Sequence, residues 1–69
     1  MPRTNTHQTY IDDYLITTDE IIPRAWNVDI RNSDGECIYN AWACGNLYRS
    51  RPDALRGALR VIREYEQGE

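Results

Sequence analysis

The sequence predicts a small α+β domain in which an antiparallel sheet of two or three strands packs against one C-terminal amphipathic helix. Large apolar residues alternate with polar ones from Ala25 to Arg31, which is typical of a half-buried strand. Apolar residues recur at intervals of three and four from Pro52 to Tyr65, which is the spacing of a helix with one buried face. A chain of 69 residues has room for one core, so residues 1–69 are predicted to form a single domain.

The N-terminal third has a mixed pattern. Four apolar residues, Tyr10, Ile11, Tyr14 and Leu15, fit one face of a helix. The run Tyr14-Leu-Ile-Thr-Thr18 instead has the β-branched and aromatic content of a strand. We predict a strand at about residues 13–18, because a hairpin alone is only marginally stable in water. The polar ends, residues 1–9 and 66–69, are predicted to be mobile.

The strand that begins at Ala25 is predicted to enter a hairpin whose turn is Asn32-Ser33-Asp34-Gly35, followed by a second strand at about residues 36–43. A type I turn with a glycine bulge suits these residues and places Ile30 opposite Ile38. A two-residue turn at Asp34-Gly35 would instead place Ile30 opposite Tyr39. We predict the first register. In either register the second strand has apolar side chains on both faces, so one face is left for an interaction.

The sequence Ser50-Arg-Pro-Asp53 predicts the start of the helix. Ser50 is a suitable N-cap, proline fits the first turn, and Asp53 stands where the positive end of the helix favours an acid. The residues predicted to face the sheet are Leu55, Ala58, Leu59, Ile62 and Tyr65.

The residue types that perform catalysis or bind metal lack suitable neighbours. Cys37 and Cys44 are seven positions apart in a segment that we expect to be extended, which separates them by about 23 Å. A disulfide requires Cα atoms within roughly 7 Å, so free thiols are predicted. His7 is the only histidine, and it is predicted to be an exposed residue of the N-terminal tail. We therefore predict a protein that is not an enzyme and holds no metal or cofactor.

The charges are unevenly distributed. Residues 1–48 carry three arginines and seven acids, whereas residues 49–69 carry five arginines and four acids. A net charge of −3 and a pI near 5.0 argue against a protein that coats DNA. The sequence has no apolar run of the roughly 20 residues needed to cross a membrane and no apolar signal-peptide core, so we predict a cytoplasmic protein without a membrane partner.

The aromatic and basic residues suggest an interaction surface. Five tyrosines and two tryptophans occur without phenylalanine, and Tyr, Trp and Arg are enriched at the centres of interfaces. A small core built from amphipathic side chains explains the same composition equally well. The aromatic candidates for protein binding are Tyr39, Trp42 and Tyr48.

The arginine stripe of the predicted helix has three interpretations: a solvated face, a protein contact surface, or a phosphate-binding face near the helix start. The candidates for nucleic-acid binding are Arg49, Arg51, Arg56, Arg60 and Arg63.

The run Trp26-Asn-Val-Asp-Ile-Arg-Asn-Ser-Asp-Gly-Glu-Cys-Ile-Tyr-Asn-Ala-Trp42, followed by Arg51-Pro-Asp-Ala-Leu-Arg-Gly-Ala-Leu-Arg60, resembles the hairpin-then-helix layout of many short phage and mobile-element proteins. The anti-CRISPR class is one functional group among them. The resemblance covers about residues 25–65. It implies a compact, often acidic, non-enzymatic inhibitor that binds a nucleoprotein effector in the host cytoplasm.

We therefore predict a phage-type inhibitor or adaptor that acts by protein–protein binding. Its acidic patch would compete for a basic, nucleic-acid-handling surface on the target. The alternative is a nucleic-acid-binding module resembling the sheet-plus-helix arm domains of phage integrases, which would use the arginine helix. A structural homodimer is a third possibility. The acidic patch comprises Asp12, Asp13, Asp19 and Glu20.

Overall fold

The computed structural model describes residues 6–68 and has the α+β layout that the sequence predicts. One antiparallel sheet of four strands, one or two more than predicted, lies against a long C-terminal helix, and the strands are neighbours in chain order. The elements are β1 (Thr6–Ile11), β2 (Tyr14–Ile22), β3 (Ala25–Arg31), β4 (Cys37–Asn40), α1 (Ala41–Cys44) and α2 (Arg51–Gln67).

The additional strand comes from the N-terminal third. The strand predicted at about residues 13–18 is the longer β2, and β1 precedes it through a two-residue turn at Asp12-Asp13. Asp12 adopts a φ of 55°, which aspartate tolerates better than most residues. Residues 6–9, within the segment predicted to be mobile, lie in β1, while residues 1–5 are outside the described part of the chain.

The third hairpin confirms the predicted turn but not the predicted register. The Asn32 N–H donates to the Glu36 carbonyl at 3.0 Å, and Gly35 adopts a φ of 84°, as a type I turn with a glycine bulge requires. Ile30 nevertheless pairs with Tyr39 rather than with Ile38. The prediction is wrong because Ile38 is an extra residue, inserted in a second bulge just beyond the turn.

The strand β4 ends at Asn40 instead of continuing to residue 43, because side-chain oxygens accept hydrogen bonds from the next backbone N–H groups. The Asn40 side chain caps α1 by accepting the Ala43 N–H at 3.1 Å. The buried Asn27 side chain accepts the Trp42 N–H at 2.8 Å. The chain then returns to the sheet at Tyr48. We call residues 41–47 the α1 excursion.

The core lies between the sheet and α2. The helix faces the sheet with Ala54, Ala58 and Ile62, whereas Leu59 and Tyr65, which were predicted to face it, are exposed. The buried stripe is rotated from the predicted one because the small alanines permit close approach of the helix to the sheet. The buried apolar residues are Ile16, Val28, Ile30, Ala41, Ala54, Ala58 and Ile62.

The N-cap of α2 is confirmed, since the Ser50 Oγ accepts the Asp53 N–H at 3.3 Å. Replacing Ser50 by alanine leaves that N–H without its capping acceptor, and should lower the free energy of unfolding by about 1 kcal/mol. Urea denaturation measures this loss. Ser33→Ala in the exposed turn is the control and should change stability by less than about 0.5 kcal/mol. Equal effects of the two substitutions would contradict the cap.

Candidate binding site

A groove runs between α2 and the segment that leads into it. It has a volume of about 410 Å³. A second groove of about 530 Å³ adjoins it and shares Leu47, Tyr48, Gly57 and Arg60 with it. We call the first one the Tyr48 groove, and its lining residues are Leu47, Tyr48, Arg49, Asp53, Arg56, Gly57 and Arg60.

Two contacts hold Tyr48 in place. Its backbone forms a bridge with Trp26, in which the Trp26 N–H donates to the Tyr48 carbonyl at 2.7 Å and the Tyr48 N–H donates back at 2.9 Å. Its ring packs on α2 at Gly57, where a Cβ atom would overlap the Tyr48 ring and hydroxyl. Gly57 therefore creates the space that the ring occupies.

Tyr39 supports Tyr48 from β4. Its side chain lies beside those of Tyr48 and Asn46, with which it lines the second groove. Burial, followed by the interaction with the neighbouring Tyr48 side chain, raises the pKa of Tyr39 to about 12. The phenol therefore stays neutral well into the alkaline range, and links β4 to the wall of the Tyr48 groove.

The raised pKa of Tyr39 predicts a loss of stability at high pH. The folded state retains the phenol proton while the unfolded state loses it, so stability should fall as pH rises from about 10 to about 12. Chemical denaturation at a series of pH values tests this prediction in comparison with Tyr39→Phe. The substituted protein should lose less stability across that window. Parallel curves for the two proteins would contradict the assignment.

The Tyr48 groove is locally basic in an acidic chain. Arg49, Arg56 and Arg60 are exposed at its rim. Arg56 pairs with Asp53 at 2.6 Å, whereas Arg49 and Arg60 form no ion pair within residues 6–68. With one acid among the lining residues, the groove carries a formal charge of +2, against −3 for the whole chain.

The other two arginines of the nucleic-acid prediction lie outside this lining. Arg51 begins α2, and its Nε atom is buried without a hydrogen-bond partner in the described part of the chain. Arg63 is exposed further along α2. The structure therefore brings three of the five predicted arginines together.

The aromatic candidates divide in a similar way. Tyr39 and Tyr48 contact each other beside α2, whereas Trp42 lies on the α1 excursion with 59% of its surface exposed. Sequence reasoning did not find the contribution of Leu47 and Gly57 to the groove. The isolated glycine in a helix pattern was the one signal that a neighbour approaches closely there.

The four acids predicted to form one patch are divided between two places. Asp12 and Asp13 form the turn between β1 and β2, while Asp19 and Glu20 lie near the other end of β2. Six positions of extended chain separate Asp13 from Asp19, which corresponds to about 20 Å. They do not form a single continuous patch.

The sheet face opposite α2 has a different chemistry, centred on Asp29. The Asp29 carboxylate accepts Arg31 Nε at 3.0 Å, Cys37 Sγ at 3.0 Å and Asn40 Nδ2 at 3.4 Å. The hydrogen bond to Asp29 is the main cause that raises the pKa of the Cys37 thiol. Cys37 and Cys44 are both free, as predicted, and both are exposed. Arg31 is the only arginine or lysine in the four strands, and Asp29 already engages it.

Within residues 6–68, no group of three His, Cys, Asp or Glu side chains could hold a metal ion. In the same part of the chain, no helix is long and apolar enough to cross a membrane. No protein-family model matches this chain, and no curated protein or solved structure matches it significantly. The fold and the Tyr48 groove are therefore the features of this chain that bear on its function.

Proposed function

We propose that this protein is a non-enzymatic binding module whose Tyr48 groove receives an acidic segment of a partner protein. The observation that carries the proposal is the convergence of three exposed guanidinium groups on an apolar floor. Arg49, Arg56 and Arg60 surround Leu47 and Tyr48. Clusters of arginine recognise acidic peptide motifs, and guanidinium groups bind carboxylates in paired hydrogen bonds.

Exposed apolar side chains on the α1 excursion extend this surface. Trp42 and Leu47 are exposed there, and Leu47 also lines the Tyr48 groove. Tryptophan is enriched among the few residues that supply most of the binding energy at protein interfaces. A partner segment with apolar residues beside its acids therefore fits the groove better than a uniformly charged one.

The distribution of charge favours a protein partner over nucleic acid. Binding to a phosphate backbone depends on many cationic contacts, whereas Asp53 already pairs with one of the three groove arginines. An integrase-like arm would also need basic residues on its sheet. The sheet offers only Arg31, which is held by Asp29.

The more specific sequence prediction falls within this class and stays a prediction. It is a phage-type inhibitor, of the anti-CRISPR kind, that blocks a nucleic-acid-handling complex in the cytoplasm. If such an inhibitor bound its target through the predicted acidic residues, Asp12 and Asp13 would have to act separately from Asp19 and Glu20. The Tyr48 groove offers such an inhibitor or adaptor a basic contact surface instead.

Charge reversal at two positions of α2 tests the proposal. Arg60→Glu should weaken capture of the partner from a bacterial lysate by at least about tenfold, because it places an acid in the groove. Arg63→Glu changes the net charge equally but lies outside the groove lining, so it should have little effect. Quantitative mass spectrometry of proteins retained by the tagged chain provides the measurement.

Two outcomes would count against the proposal. If Arg60→Glu retains the same proteins as the unaltered chain, the groove does not bind them. If the unaltered chain instead binds random duplex DNA with a steep dependence on salt, and both substitutions weaken that binding alike, the nucleic-acid alternative is favoured.

A further inference from the structure

The outer edge of β1 is a long, regular strand edge. Its six residues pair with β2 in one continuous register without a bulge. Among residues 6–68, no strand pairs with its other side. Gln8 and Tyr10 lie on this edge, and their backbone groups can pair with another strand there, in the manner of β-augmentation.

This edge lacks the devices by which proteins prevent edge-to-edge pairing. Such devices are charged side chains, prolines, bulges and very short strands. The strand β1 reads Thr-His-Gln-Thr-Tyr-Ile and contains no Lys, Arg, Asp, Glu or Pro. The opposite edge is protected, since β4 has only four residues, a bulge at Ile38 and the α1 excursion. The two edges of the same sheet therefore differ in their capacity to pair.

The hairpin geometry identifies the backbone groups that point outward. A two-residue turn makes Ile11 and Tyr14 a hydrogen-bonded pair, and such pairs alternate along an antiparallel ladder. The carbonyl of His7 accordingly points toward β2, where it accepts the Thr18 hydroxyl at 3.4 Å. Gln8 and Tyr10 therefore direct their N–H and C=O groups away from β2.

We propose that the outer edge of β1 pairs antiparallel with β1 of a second copy of this chain, about a twofold axis at Thr9. Gln8 of each copy is then opposite Tyr10 of the other, and the two Thr9 residues face each other. Thr–Thr pairs are favourable across antiparallel strands, and no like charges meet. Tyr10, with 70% of its surface exposed, becomes partly covered. The two four-stranded sheets join into one continuous sheet.

The twofold axis is perpendicular to the joined sheet, because antiparallel pairing reverses strand direction without exchanging the two faces. Both α2 helices then lie on the same face. The Tyr48 groove adjoins the opposite edge of the sheet, where Tyr48 pairs with Trp26 of β3. The dimer therefore leaves one groove open at each end, and its existence can be tested independently of groove binding.

Sedimentation equilibrium over a dilution series tests the dimer. Gln8→Pro removes an outward N–H from each copy without removing a β1–β2 hydrogen bond, and should weaken dimerisation about thirtyfold through the loss of two hydrogen bonds. Tyr10→Lys should also weaken it, by placing a charge on the edge. Ile22→Lys makes the same change of charge at a residue that is 62% exposed on β2, and should dimerise like the unaltered chain. Circular dichroism verifies that each variant is folded.

Amide hydrogen exchange distinguishes this dimer from any other. The amides of Gln8 and Tyr10 should become protected as the protein concentration rises. An unaltered chain that stays monomeric at every concentration would overturn the proposal. A dimer in which these two amides exchange as fast as those of exposed turns would overturn it as well.

Discussion

Gly57→Ala should destabilise the folded chain by about 1–3 kcal/mol, although alanine is the better helix former by about 1 kcal/mol. The added methyl group would occupy the place of the Tyr48 ring. Tyr48 must then leave its site, and its ring loses the packing on α2 and the contact with Tyr39. This loss exceeds the gain in helix propensity, because packing a half-buried aromatic ring contributes more to the free energy of unfolding than replacing one glycine by alanine in a helix.

The same substitution should have the opposite sign once Tyr48 is absent. In a Tyr48→Ala background, Gly57→Ala should stabilise the chain by up to about 1 kcal/mol, because the three atoms nearest to the new Cβ all belong to Tyr48. Urea denaturation of the two single variants and the double variant provides a double-mutant cycle. Equal effects of Gly57→Ala in both backgrounds would show that the ring does not occupy this space.

Ile30→Ala should lower the free energy of unfolding by about 2–5 kcal/mol, because it removes a side chain from the centre of the core and leaves a cavity. Ile30 is fully buried, and it pairs with Ile16 on β2 and with Tyr39 on β4. A domain of this size has a stability of only a few kcal/mol. The substituted chain should therefore be largely unfolded at room temperature.

Ile22→Ala is the matched control, because it makes the same chemical change in the same sheet at a residue that is 62% exposed. It should cost about 0.5 kcal/mol or less. Thermal unfolding followed by circular dichroism compares the two variants. Similar losses of stability from the two variants would contradict the assignment of Ile30 to the core and of Ile22 to the surface.

The elements that sequence reasoning predicted well are those with local chemical signals. The alternation from Ala25 to Arg31 identified β3, and the positions of Asn32 and Gly35 identified the turn type. Ser50 identified the start of α2. In each of these cases the residues that determine the conformation lie within a few positions of one another.

The elements that were missed depend on contacts between distant residues. The strand β1 is joined to β2 by a turn of two aspartates, which lacks the usual glycine or asparagine signal. The early end of β4 depends on Asn27, which accepts a backbone N–H from Trp42, fifteen positions away. The Tyr48 groove depends on a ring that meets Gly57 across two elements. No periodicity within a single segment reports such contacts.

Most of the α1 excursion lies outside the ladder of backbone pairs that holds the sheet together. An uninterrupted ladder would place residue 43 opposite Trp26, yet Tyr48 stands there, five positions later. Backbone pairing with β3 is therefore present on both sides of the α1 excursion, at Asn40 and at Tyr48. During evolution, or in a redesign, residues 43–47 can be lengthened, shortened or exchanged while Asn40, Trp42 and Tyr48 keep their partners on β3. Such a domain can acquire new binding partners without first acquiring a new fold.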